Sequence, residues 1–207
     1  MKSYDKEIYL DNHLLVLAKP HGIPTQPDFH EMAKAWLKKK IGKEGNVFLH
    51  PVHRLDKAAG GLVLFARSSK ALPRLNRLLR DHQIQKSYLA KVEGILKEKE
   101  GRLEHFHFHD EFRAKISDYP FQDAKKASLS YKVIKTDGKN SLLEVRLHTG
   151  RYHQIRAQMA FIGHPIIGDK KYGSSFISKE GAIELDHIRL EFAHPVTQQH
   201  LIISLPS

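Results

Sequence analysis

Asp56 is the residue of this sequence whose setting most invites chemistry. It ends the run His53-Arg54-Leu55-Asp56 and precedes Gly60-Gly61, and from it to Asp81 come six cations, Lys57, Arg67, Lys70, Arg74, Arg77 and Arg80, with no Asp or Glu among them. A carboxylate alone in a cationic stretch can serve as a nucleophile or as a stabiliser of a breaking bond. The same residue at the same place could simply cap a turn. A second acid-free stretch, Val145 through Gly168, carries Arg146, Arg151 and Arg156 with His148, His153 and His164. Two such stretches, each touching a glycine-containing loop, read as walls of a phosphate-binding cleft. A third constellation is His105, His107 and His109 in EHFHFHDEF. A strand there would put three imidazoles on one face, the arrangement of a metal-dependent hydrolase, and would point Phe106 and Phe108 into the core. Its plainer reading is a half-exposed strand whose polar face is histidine, because no matching ligands are evident elsewhere, and no metal site is expected.

These groups sit on a chain of 207 residues, one-domain length, so a single domain over residues 1–207 is expected. Hydrophobic residues at 41% and charged residues at 28% fit a compact globular protein and argue against extended disorder. Thirty-four Lys and Arg against 23 Asp and Glu leave a net charge of +11, which calls for a polyanionic partner. With no cysteine there is no disulfide, no thiolate nucleophile and no Cys-based metal centre, a usage compatible with a reducing cytosol. The opening MKSYDKEIYLDN has no apolar leader segment, and the longest apolar runs, such as Leu62 to Ala66, fall far short of the ~20 residues that span a bilayer. A cytoplasmic protein without membrane contact is the expectation.

The elements that must position the candidates can be read from periodicity. EIYL and LLVLA flank the turn residues Asp11-Asn12-His13 and predict a hairpin; Met32, Trp36 and Leu37 predict a helix over 29–40. A loop containing Gly60-Gly61 leads into a buried strand, and Leu72, Leu75 and Leu79 predict a helix over 70–82. Alternation around Tyr88/Ala90/Val92, Leu129/Tyr131/Val133 and Leu143/Val145/Leu147 predicts sheet strands. Between them, 97–126 reads as an irregular loop or a separate edge hairpin, whereas Ile155, Met159 and Ile162 predict a helix over 153–162, stopped by Gly163 and Pro165. Strands near 184–192 and 200–204 would close the chain.

Five ordered segments resemble the RluA-type RNA pseudouridine synthases over about residues 7–173. HRLD with Gly61-Leu62-Val63-Leu64-Phe65-Ala66 is similar to the family's catalytic motif; Lys86-Ser87-Tyr88 through Gly94 to its second; Leu147-His148-Thr149-Gly150-Arg151-Tyr152-His153-Gln154-Ile155-Arg156 to its third. LLVLAKPHGIP resembles the first strand and loop, and Gly163 to Asp169 with Tyr172-Gly173 continues the match. HRLD alone would be weak; five motifs in order are specific. Two departures stand out: Ala59-Gly60-Gly61 replaces the usual Thr-Ser-Gly, and Tyr152 stands where threonine is usual. No S4-type RNA-binding segment is expected, because the match starts almost at Met1.

The resemblance implies an α+β catalytic domain with a mixed, largely antiparallel central sheet flanked by helices and an RNA cleft across it. The implied reaction isomerises uridine in structured ribosomal or transfer RNA to pseudouridine. It breaks N1–C1′, rejoins the base through C5 and releases the C5 proton, with no net oxidation and so no redox cofactor. The target nucleotide must leave its stack. By resemblance Asp56 is the catalytic aspartate, Tyr88 stacks on the uracil and handles the C5 proton, and Arg156, set at the edge of its helix, pairs with Asp56. Arg54 would fill the space left by the flipped base, and His53, Lys57 and Arg151 would hold phosphates. No organic cofactor, metal or protein partner is implied, and a monomer is the default. A non-catalytic RNA-binding protein on the same fold is the competing class, against which the joint retention of Asp56, Tyr88 and Arg156 argues.

Overall fold

A computed structural model describes residues 7–178 and 181–206. The first six residues, on which part of the expectation of no leader rests, lie outside the described residues. The chain divides into two compact units, Met1–Gln85 with His187–Ser207, and Lys86–Asp186. The architecture is α+β, and every strand pairing whose register is described is antiparallel.

In the first unit, β1 (Glu7–Leu10) and β2 (Leu14–Lys19) form the expected hairpin. Its turn is closed by the Asp11 carboxylate, whose Oδ1 accepts the amides of His13 and Leu14 at 2.7 Å each, the local bonding that favours aspartate in turns. β3 (His50–Pro51) and β2 both pair with β4 (Gly60–Ala66), which lies beside β10 (Leu185–Ala193), and β10 pairs with β11 (His200–Ser204). β4 is buried along its whole length. Leu62, Leu64 and Ala66 join a core with Leu14, Val16, Leu190, Phe192, Ile203 and, from α2 (Ala71–Arg80), Ala71 and Leu75. Phe65 faces the other way, with ring centres 6.0 Å from Phe29 and 6.1 Å from His30 at the start of α1 (His30–Ile41). A strand covered on both faces needs no polar alternation, which is why its sequence is a continuous apolar run. Gly60 and Gly61, expected in a loop, are instead the first residues of this strand. Gly61 has φ +104°, and a Cβ on it would lie 2.3 Å from the His187 carbonyl oxygen. Only glycine lets the two backbones approach so closely.

The second unit is a sheet in the order β5 (Gln85–Glu93), β9 (Asn140–Leu147), β8 (Lys125–Thr136), β6 (Glu100–Asp110), β7 (Arg113–Ser117). The segment 97–126, expected as an irregular loop or an edge hairpin, forms the edge hairpin of β6 and β7, and its first strand runs eleven residues and pairs with β8 as well. Its alternation is also reversed. His105 and His107 are buried, whereas Phe106 and Phe108 are half-buried, because the helix covering the histidine face, α3 (Gln154–Phe161), is itself polar where it is buried. Gln154, Arg156 and Gln158 lie inside alongside Ile155 and Met159. α3 ends as expected at Gly163, φ +84°, with the His164 amide donating back to the Met159 carbonyl at 2.9 Å.

Candidate active site

Asp56 sits on a segment of the first unit that runs directly into β4. The segment is irregular, and its neighbours supply the backbone hydrogen bonds that a strand would have given it. Leu55 is clamped by the buried hydroxyl of Thr25, which accepts its N–H and donates to its C=O, both at 3.0 Å. The Gly22 amide donates to the Lys57 carbonyl at 2.8 Å, and the Ala59 amide closes a turn on the Asp56 carbonyl at 3.1 Å. The loop is therefore fixed by backbone bonds and by one threonine far away in sequence, without the two hydroxyls absent at Ala59 and Gly60. Leu55 is buried, while Arg54 is exposed and Asp56 half-buried, so the two charged side chains flank an apolar anchor. Lys57 is exposed.

His53 departs from its expected part. It is buried, its Nε2 accepts the Leu64 amide at 3.2 Å, and its ring stands edge-on to His187 at 5.2 Å. His187 Nδ1 in turn bonds the Leu62 carbonyl at 2.6 Å. A ring held in this way supports the start of β4 and so acts on the loop from below. The structure thus places His53 beneath β4, whereas Arg54 and Lys57 are exposed.

Tyr88, Arg151 and Arg156 belong to the second unit. Tyr88 is buried on β5, opposite Val145 of β9 and on the same face as Ala90 and Val92. Arg151 is exposed and its Nε donates to the Lys126 carbonyl at 3.2 Å. Arg156, expected at the edge of its helix, is buried at 6% exposure. Its Nε and Nη2 form a fork on Asp169, 2.6 and 2.8 Å from the two carboxylate oxygens, and Asp169 is itself 1% exposed. The guanidinium also lies over the Tyr172 ring, 5.1 Å from its centre. Asp169 is thus a residue of the site for which sequence reading gave no role, although it stands within a matched motif. The signal was its type: an aspartate after Gly168 in an otherwise acid-free stretch.

Around Arg156 the interior is polar and fully bonded. Gln154 Oε1 accepts from the Thr149 hydroxyl at 2.8 Å and the Arg151 amide at 3.0 Å. Its amide nitrogen donates to Gln158 Oε1 at 3.0 Å, and Gln158 Nε2 donates to His105 Nδ1 at 2.9 Å. His107 Nε2 bonds the Tyr152 carbonyl at 2.7 Å. Of the three alternating histidines, His105 packs on α3 and His107 on the segment before it, whereas His109 is exposed and meets the Tyr152 ring; among the described residues no group of three or more His, Asp or Glu is placed to hold a metal ion. His153, in the left-handed conformation at φ 51°, starts α3 and meets the Tyr172 hydroxyl at 3.0 Å. Burial first, then the charges of Arg156 and Lys171, push its pKa down to about 3, so it stays neutral beside the arginine. Tyr152 stacks on His153 at 3.7 Å and on His109 at 4.1 Å between ring centres.

Residues 13–161 match the family described as RNA pseudouridylate synthase. The chain is 34% identical to a dual-specificity RNA pseudouridine synthase RluA of Pasteurella multocida, over 96% of this chain and 91% of that protein. It is also 34% identical to tRNA pseudouridine synthase C of the same organism, over 95% of this chain and 88% of the relative. Among solved structures, the human RNA pseudouridylate synthase domain containing 1 superposes with a TM-score of 0.82 at 19% identity, covering 100% of this chain and 86% of that one. The structural likeness bears on the fold alone.

Proposed function

The chain belongs to the RNA pseudouridylate synthase family and is an RNA pseudouridine synthase, and from that premise we propose that Asp56, Tyr88 and Arg156 carry its isomerisation. Asp56 supplies the carboxylate that meets the sugar as N1–C1′ breaks, as nucleophile or as the group that takes a sugar proton. Tyr88 presents its ring to the detached uracil and accepts or relays the C5 proton as C5–C1′ forms. Arg156 is the cation that the resemblance assigns to the reaction, and its fork on Asp169 holds the guanidinium in a fixed orientation. Arg54 occupies the space of the flipped nucleotide, and Lys57 and Arg151 hold phosphates.

The observation that carries the assignment is the clamped Asp56 loop. A catalytic carboxylate must be held in place before substrate arrives, and here Thr25, Gly22 and Ala59 fix the backbone on either side of it. RNA is the partner. Structured ribosomal or transfer RNA as the substrate, a single domain, a monomer and a cytoplasmic site belong to the proposal; no helix among the described residues is long and apolar enough to cross a membrane.

Tritium release from RNA labelled at uridine C5 tests the mechanism. Wild-type protein should release tritium stoichiometrically with pseudouridine, and Asp56→Asn should release none while binding the same RNA. Appreciable turnover by Asp56→Asn would remove Asp56 from the chemistry.

A further inference from the structure

Lys86 is a cation that the reading above does not use. It lies on β5 two residues before Tyr88, so the two side chains leave the strand on the same face, about 6.6 Å apart along it. It pairs across the sheet with Leu147, an apolar neighbour that offers no charge. Its Nζ stands against the third-motif loop, 3.3 Å from the point where a Cβ on Gly150 would be. Any larger residue at Gly150 would crowd the ammonium, so that glycine keeps space open around it.

Among the described residues Lys86 has no hydrogen-bond or ion-pair partner. Burial alone holds its pKa below the ordinary lysine value, with no neighbouring carboxylate to raise it. Lys86 is half-buried, and an ammonium partly withdrawn from water with no partner is a cost to the fold, so that removing such a charge should not destabilise the protein. The residues next in sequence to Gly150 belong to the stretch Val145 to Gly168, which carries no acid. The cost is offset when an anion enters.

We propose that Lys86 Nζ, in the space kept open by Gly150, is a binding subsite for one phosphodiester group of the RNA, at the nucleotide whose base lies along Tyr88. The inference rests on the pseudouridine synthase reading and adds a contact to it. The ligand is a phosphate because a desolvated ammonium needs a full negative charge in the bound substrate, whereas the carbonyls of uracil are neutral. Lysine suits this as a point charge on a flexible stem.

The test measures binding in an Asp56→Asn background, so that no turnover intervenes, with bulk transfer RNA and ribosomal RNA fragments as probes over a range of salt. Lys86→Met should weaken binding roughly tenfold at low salt and make the slope of log affinity against log salt shallower by about 1. Lys86→Arg should keep the slope. The methionine variant should melt no lower than its parent, which separates lost binding from lost fold. In the catalytically intact background, tritium release by Lys86→Met should show a raised KM with kcat little changed. Equal slopes for the parent and Lys86→Met, or a fall in kcat at unchanged affinity, would overturn the subsite; the second outcome would move the ammonium to the base. Absence of tritium release by the wild type would instead defeat the isomerase reading, and the salt slopes would still judge Lys86.

Discussion

At the scale of single residues, the most consequential contact is the fork between Arg156 and Asp169, both buried. Two charges inside a protein are tolerable together and costly apart. Asp169→Asn should therefore destabilise the protein by about 3–5 kcal/mol in urea titrations and should lower tritium release as well, since Arg156 loses its orientation. Wild-type stability in Asp169→Asn would show that the fork contributes nothing. His153 gives a pH prediction. Its folded pKa, about 3, lies below its unfolded value near 6.5, so the unfolded chain binds the extra proton as pH falls between the two. Stability should decline through that window, and His153→Asn, which tolerates the left-handed backbone, should make the decline shallower by up to one proton. An unchanged slope would remove His153 from the acid response.

At the scale of elements, the loop carrying Asp56 depends on two distant supports. Thr25→Val leaves the buried N–H and C=O of Leu55 without their partner, at about 1–3 kcal/mol for each unsatisfied group. Turnover should fall more than RNA affinity, as a comparison of kcat with filter binding would show. Gly61→Ala places a methyl group against the His187 backbone at a positive φ, and should cost about 2 kcal/mol or more. β2, β5, β8, β9 and the three helices were legible because each carries its own apolar period, and β4 because its apolar run is continuous. β6 and β7 were legible only as a loop or an edge hairpin, and the face that β6 buries was not, because its inward residues are His105 and His107 and the helix that receives them is polar in turn. Polar complementarity between two segments some fifty residues apart leaves no apolar mark on the face that β6 buries. The same holds within the site: Asp56, Tyr88 and Arg156 could be singled out by motif, whereas the fork on Asp169, the Thr25 clamp and the unpartnered Lys86 exist only once the chain is folded.

At the scale of the whole molecule, the net charge of +11 is a statement about capture. RNA binding should weaken steeply as salt rises, while the single-turnover rate on RNA already bound should change little; a chemical rate that tracked salt as binding does would contradict this division. The division of the chain has a different consequence, one concerning order in time. The second unit is continuous, but the first is closed by residues that come after it, and Leu190, Phe192 and Ile203 complete the core around β2 and β4. Gly61 likewise meets the backbone of a residue made 126 positions later, His187. On a ribosome, where chain emerges from its N-terminus, β4 therefore waits without its neighbour until synthesis is nearly done. Nascent chains halted at residue 186 should be cut by protease around residues 53–66 and resist cutting in the β8–β9 sheet. The segment bearing the proposed catalytic carboxylate is among the first to be made and among the last to be held.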